Sequence, residues 1–385
     1  MNWQFYLIEK LTIRRIVCLI KMNAIFVAYT PYHICIALGL ARLQHESAKN
    51  YLIVINNFCY ADLYKSVIEE SLDNPFYMIS IFPGITRRGS LTYMKQVLFS
   101  IYNKWQINTL FKKIVDTQTV MYTFNDYYFE SQYLQHLVYN EGGKVICVED
   151  GSAFYRNSTL KCRSTAEIQL LRLILGRCYQ SVQVLGTYKY SLELMALYPE
   201  HLRKELQCKN VYILPHDVFS AIKDVEVGNN ILLRCNYKIP EKIDCLVLLP
   251  HSTELNDAGS RNIYTDIIWQ LSREGYNVAV KLHPREENFA IISLFRDRIY
   301  VIPNFLAAEI LYNMVENNPP KYIIGDSSTS LITARIILKK VPIISVVHLM
   351  GGIIREDDPL IHLFGCINIL LPETVNELYG MLAGN

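Results

Sequence analysis

The chain has no Cys-x-x-Cys pair, no dense run of lysine or arginine, and no apolar stretch long enough to cross a bilayer. Each absence removes a class of function. The ten cysteines are scattered singly, Cys35, Cys59, Cys147, Cys162 and Cys178 among them, which argues against zinc ribbons and thioredoxin-type redox chemistry. Several lie in apolar runs, where a thiol behaves as a small hydrophobe, and a reducing cytoplasm is the expected compartment. Lysine and arginine total 38 against 36 acidic residues, a net charge of +2, so no nucleic-acid partner is expected. No Asp-x-Asp metal motif follows a strand, and there is no internal repeat or low-complexity segment.

The N-terminal stretch mixes apolar groups with Lys10, Arg14, Arg15 and Lys21. Its longest uninterrupted apolar part, Ile16 to Ile20, is too short to span a membrane, and no small-residue cleavage site follows. Residues 1–21 therefore read either as a basic amphipathic segment in peripheral contact with the inner face of the cytoplasmic membrane, or as an extension before a start at Met22.

What is present is a large apolar fraction, 51% of 385 residues, enough for two cores. Short apolar runs alternate with helix-like stretches, the pattern of parallel sheets covered on both faces. Strands are expected at Ala24–Ala28, Tyr51–Ile55, Phe76–Phe82, Thr119–Phe124 and Lys144–Val148. A second series follows at Cys245–Leu249, Asn277–Leu282, Arg298–Ile302, Tyr322–Ile324 and Pro342–Val346. The polar segment between Asp224 and Asp244 separates the series. The expected layout is an extension (1–21), a first Rossmann-like domain (22–235), a second Rossmann-like domain (236–370) and a C-terminal helix (371–385).

Three strand ends carry chemistry. The run Lys144–Val148 enters Glu149-Asp150-Gly151, two carboxylates and a glycine at the edge where parallel sheets bind ligands. Adjacent carboxylates repel and burial raises a pKa, both of which suit a general base; the competing reading is an ordinary turn before a helix. The run Val278–Leu282 ends at His283-Pro284. Proline stops the ladder and presents His283, while Lys281 and Arg285 supply positive charge for a phosphate. The bland alternative is an exposed histidine before a loop. The run Tyr322–Ile324 enters a hydroxyl-rich turn, Ser327-Ser328-Thr329-Ser330, before a helix. Backbone N–H groups and hydroxyls there suit an anion, and a simple N-cap accounts for only one or two of the four hydroxyls.

In this order the motifs resemble those of bacterial sialyltransferases and polysialyltransferases, which carry a D/E-D/E-G motif, an HP motif and a downstream S-S/T motif. The turn Tyr29-Thr30-Pro31-Tyr32-His33 is similar to the first strand-helix turn of several members. The resemblance implies an α/β protein of GT-B type, two Rossmann-like domains facing across a central cleft, the first (22–235) on the acceptor side and the second (236–370) binding the nucleotide sugar. It also implies a CMP-sialic acid donor, inversion at the anomeric carbon and no required cofactor or metal. Carried over, Asp150 is the first choice for the base and Glu149 the second. His283, Pro284, Lys281, Ser327, Ser328 and Thr329 are expected to hold the nucleotide. Some members place the base on the first turn of the second domain, which here offers His251 and Glu254; otherwise these two contact nucleotide.

On the acceptor side, Asn125, Asp126, Tyr32 and His33 are candidates for sugar hydroxyls; the alternative is packing for the tyrosines of this region and a satisfied helix-start residue for His33. The expected partners are a nucleotide-sugar donor and a glycan or glycolipid acceptor of a bacterial surface glycan such as lipopolysaccharide, O-antigen or capsule. A transferase or epimerase using a UDP- or CMP-Kdo-type sugar is the competing enzyme reading. A silent glycan-binding assembly protein is the non-enzymatic one. The near-neutral charge favours a single-addition enzyme over a polymerising one.

Overall fold

The computed structural model describes residues 22–44, 48–85, 92–222, 225–251, 258–285, 290–295, 298–350 and 357–383. The expectations for residues 1–21 and for Glu254 lie outside these.

Among the described residues, twelve strands form two sheets. The first contains β1 (Asn23–Ala28), β2 (Lys49–Asn56), β3 (Phe76–Pro83), β4 (Val120–Thr123), β5 (Lys144–Val148), β6 (Glu193–Ala196) and β7 (Asn210–Ile213), in the order β3-β2-β1-β4-β5-β6-β7. The second contains β8 (Cys245–Leu248), β9 (Val278–Lys281), β10 (Ile299–Ile302), β11 (Tyr322–Gly325) and β12 (Ile343–Ser345), in the order β10-β9-β8-β11-β12. Every pairing in both sheets is parallel. Parallel strands are covered on both faces, which is why β1, β4, β5 and β8 are near-continuous apolar runs with almost no exposed residue.

In each sheet the order reverses beside the first strand, between β1 and β4 and between β8 and β11. Such switch points open a crevice at the carboxyl ends of the strands, where ligands bind. The two crevices face each other. The expected architecture of two Rossmann-like domains is observed, with two strands, β6 and β7, that the sequence patterns did not mark.

Specific contacts fix the packing within and between the domains. The buried Tyr64, on the helix Ala61–Glu70, donates its hydroxyl to the Phe305 carbonyl at 2.8 Å and accepts the Ala307 N–H at 3.0 Å. Gly39 sits where the helix Pro31–Leu43 meets the helix Asp217–Ala221; a Cβ there would stand 2.2 Å from the Val218 carbonyl oxygen, so only glycine fits. Near the C-terminus the helix Pro359–Cys366 packs back on the 3-10 turn Pro199–His201 of the first domain. Its N-cap, Asp358, also accepts the Asn157 N–H at 2.9 Å. The last helix, Val375–Leu382, buries Leu378 and Leu382 in the core of the second domain.

Candidate active site

The cleft between the sheets holds about 990 Å³ of space, part of it continuous with solvent. From the first domain it is lined by Thr30, Pro31 and Tyr32 after β1 and by Asp150 after β5. From the second it is lined by Leu248 and Leu249 after β8, the segment 281–285 after β9, Glu309, and Ser328, Thr329 and Ser330 after β11. The three expected strand ends therefore meet in one cavity.

Of the Glu149–Asp150 pair, Asp150 is the carboxylate that faces the cleft. Its Oδ1 lies 2.6 Å from His33 Nε2 and its Oδ2 accepts the Asn125 amide at 2.8 Å. Burial alone would raise this carboxyl. The His33 imidazole, the Asn125 amide and the positive field of Arg285 outweigh it, and the pKa is lowered below the ordinary carboxylate value. His33 is itself placed by local structure. Thr30 caps the helix Pro31–Leu43, accepting the His33 N–H at 3.2 Å, and Pro31 occupies the first helical turn, where a missing N–H costs nothing. The Tyr29 N–H donates to His33 Nδ1 at 3.1 Å, so the imidazole proton sits on Nε2 and points at Asp150.

Glu149 has the opposite environment. It is fully buried and accepts three hydrogen bonds, from the Tyr155 hydroxyl, from the Leu197 N–H at 2.7 Å and from the Tyr32 hydroxyl at 3.1 Å. Burial, opposed by those bonds and assisted by the Asp150 charge, pushes its pKa up to about 7. From the sequence, a raised pKa is expected on the base. The structure instead raises the carboxyl that is away from the cleft and lowers the one within it. Glu149 organises Tyr32, Tyr155 and the strand end at Leu197.

Gly151 follows with φ +61°, and a Cβ there would stand 1.9 Å from Thr329 Oγ1. Both the left-handed backbone and the close approach of the second domain require glycine.

Across the cleft, His283 accepts the Arg285 N–H on Nδ1 at 3.2 Å and packs edge-to-face on His251, 5.2 Å between ring centres. Burial, with Arg285, His251 and Lys281 nearby, pushes its pKa down to about 3. His283 is thus a neutral imidazole with its proton on Nε2, able to donate a hydrogen bond. Lys281, expected to add positive charge, is buried at the end of β9, and its Nζ donates to the Leu282 carbonyl at 2.6 Å. Burial lowers its pKa to about 7, with Glu309 partly opposing, so Lys281 carries only a fractional charge at neutral pH.

The hydroxyl-rich turn is partitioned. Ser328 caps the helix Thr329–Ile337 by accepting the Ser330 N–H at 3.2 Å. Thr329 accepts the Ser152 N–H at 2.8 Å from the other domain. Ser327 is buried, and Ser328, Thr329 and Ser330 line the cleft at the positive end of the helix.

On the acceptor side two expectations are corrected. Asp126 is fully buried and accepts the Gly186 and Tyr188 N–H groups at 3.0 and 2.8 Å. It holds the loop before β6 and cannot reach a sugar. His33 is likewise fully buried and contacts Asp150 rather than the open cleft. Asn125 supports Asp150, and the Tyr32 hydroxyl is taken up by Glu149, although its ring lines the cavity.

Glu309 was missed. It lies almost wholly buried on the helix Ala308–Val315, accepts the Thr333 hydroxyl at 3.0 Å and borders the cleft. Burial raises its pKa despite that bond and the field of Lys281. The available signal was a single acid within the apolar run Phe305-Leu306-Ala307-Ala308-Glu309-Ile310-Leu311.

Comparison with solved structures recovers the same architecture. An alpha/beta-galactoside alpha-2,3-sialyltransferase from Photobacterium phosphoreum superposes with a TM-score of 0.51 at 11% identity, covering 91% of this chain and 98% of its own. The UDP-GlcNAc 2-epimerase of Neisseria meningitidis gives 0.56 at 10% identity, covering 94% and 91%. That of Methanocaldococcus jannaschii gives 0.53 at 14%, covering 94% and 92%. At these identities the likeness establishes the GT-B fold. Among curated proteins no match is found. The sequence profile of the alpha-2,8-polysialyltransferase family, however, matches residues 21–347, which include all three motif turns. Spanning most of the chain, that match makes this glycosyltransferase a member of the alpha-2,8-polysialyltransferase family.

Proposed function

We propose that the chain moves sialic acid from CMP-sialic acid to a sugar hydroxyl of a bacterial surface glycan, by a single inverting displacement. The observation that carries this reading is Asp150. It is an ionised carboxylate fixed by His33 and Asn125, and it lines the same cavity as a neutral imidazole and a helix N-terminus. In the proposed step the acceptor oxygen bonds to the anomeric carbon while the bond from that carbon to the CMP phosphate oxygen breaks. The acceptor proton passes to Asp150. The negative charge that develops on the leaving CMP is met by His283 Nε2–H and by the N-terminus of the helix Thr329–Ile337. No step in this scheme calls for a metal or other cofactor.

The acceptor is proposed to be lipopolysaccharide, O-antigen or capsule glycan, modified on the cytoplasmic side. Among the described residues no helix is long and apolar enough to cross a membrane. The basic and apolar mix of residues 1–21 supports peripheral contact with the inner membrane.

Nucleotide choice tests the donor. CMP and CDP are expected to raise the melting temperature and UDP to leave it unchanged; stabilisation by UDP alone would make the donor assignment wrong. Incubation with CMP-sialic acid and a panel of galactoside and sialoside acceptors should release CMP. Product length then distinguishes single addition from polymerisation.

A further inference from the structure

We propose that His201, His362 and Cys366 form a binding site for a Zn²⁺ ion, apart from the cleft. His362 and Cys366 stand one helical turn apart on the helix Pro359–Cys366 and so share a face. His201 closes the 3-10 turn Pro199–His201 against which that helix packs. The three ligand atoms all lie within 4.8 Å of one another. His201 Nδ1 and His362 Nδ1 are 3.2 Å apart, and Cys366 Sγ is 3.9 Å from the same His362 Nδ1.

These separations suit a metal shell. Zinc binds imidazole nitrogen at about 2.0–2.1 Å and thiolate sulfur at about 2.3 Å in tetrahedral geometry. Those bond lengths place two nitrogens about 3.3 Å apart and a nitrogen and a sulfur about 3.6 Å apart. The observed N···N and N···S separations are close to both values, and the remaining pair, His201 and Cys366, lies within 4.8 Å. A direct imidazole–imidazole bond would require a proton on one Nδ1, whereas a cation between the rings uses both lone pairs. The Glu200 carboxylate, 3.8 Å from His201 Nε2, favours the proton on that nitrogen and leaves Nδ1 as the ligand. Two imidazoles and one thiolate form a borderline-to-soft set that suits zinc over magnesium or calcium. Side-chain exposure of His362 and Cys366 leaves room for water as a fourth ligand.

The position gives the site a consequence. The helix Pro359–Cys366 belongs to the chain that follows the second sheet, yet it rests on the first domain. Zinc here would fasten that crossing to residue 201.

The test uses the full chain freed of metal with a chelator and titrated with Zn²⁺ against a chromophoric competitor. The expected result is one equivalent bound, with affinity lowered at least tenfold in both His362→Ala and Cys366→Ser. Co²⁺ in place of Zn²⁺ should give a thiolate-to-cobalt charge-transfer band that Cys366→Ser removes. Zn²⁺ should raise the melting temperature of the parent chain but not of either variant. Metal-free circular dichroism matching the parent confirms that the variants fold. If the parent binds no equivalent, or both variants bind as the parent does, the site is not there.

Discussion

The hydroxyl of Thr329 accepts the backbone N–H of Ser152 at 2.8 Å, so the helix start of the second domain is seated on the turn that carries Asp150. The two halves of the cleft therefore meet at a fixed point, one residue from a glycine with no room for a side chain.

Gly151→Ala is expected to be destabilising for two separable reasons. The left-handed backbone costs about 1–2 kcal/mol for an L side chain. The clash with Thr329 adds to it, because that side chain sits at the start of a packed helix. Denaturant unfolding of Gly151→Ala, Thr329→Ala and the double variant separates the terms. The double variant should recover the part of the clash due to the Thr329 hydroxyl and methyl, but neither the overlap with Thr329 Cβ, 2.6 Å away, nor the backbone strain; strict additivity would refute the contact.

Asp150→Ala is expected to lower CMP release by ~10²- to 10⁴-fold, the usual contribution of a general base. The partners of Asp150 should show in the pH profile. The Asp150 pKa is held below the ordinary value, so activity falls only when pH drops through that lowered value. His33→Ala or Asn125→Ala removes a stabilising hydrogen bond and should move the acid limb to higher pH. An unmoved limb, with only a uniformly lower rate, would mean that neither residue tunes Asp150.

Glu149 makes the opposite prediction for stability. Its folded pKa of about 7 exceeds the ordinary glutamate value of 4.5, so the folded state binds the extra proton between those values. The associated stability is fully present below about pH 4.5 and is lost as pH rises towards about 7. Glu149→Gln should flatten the part of the melting-temperature profile that lies in this window. A slope identical to the parent would assign the titration to another group.

Lys281, with a pKa lowered to about 7, should make nucleotide binding pH-dependent. Its cation is present below that value and fades above it, so CMP affinity should weaken as pH rises through 7. Calorimetry on Lys281→Met should show a shallower dependence. If the parent and the variant have parallel profiles, Lys281 does not sense the phosphate.

The fold was legible wherever a strand is buried on both faces. The segments β1, β5 and β8 are unbroken apolar runs, and their ends at Tyr29, Glu149 and Leu249 could be read directly. The strands β6 and β7 were not, because Glu193–Ala196 and Asn210–Ile213 are four residues each and partly exposed. Within the site, the chain order of the motifs was readable but the direction of each side chain was not. Successive residues leaving a strand point opposite ways, so Glu149 turns into the core and Asp150 into the cleft. Nothing local to the pair says which. Asp126 escaped for a similar reason. Its partners, Gly186 and Tyr188, lie some sixty residues away, at sequence separations of 60 and 62.

Two backbone amides, those of Tyr29 and Arg285, occupy the Nδ1 atoms of His33 and His283. Both rings are thereby committed to a single tautomer and can offer hydrogen but not receive it at Nδ1. With their Nδ1 lone pairs engaged, neither ring can take up a proton there, and Asp150 is left as the base of the three. Two main-chain N–H groups thereby divide the cleft between hydrogen-bond donors on the rings and one acceptor on the carboxylate.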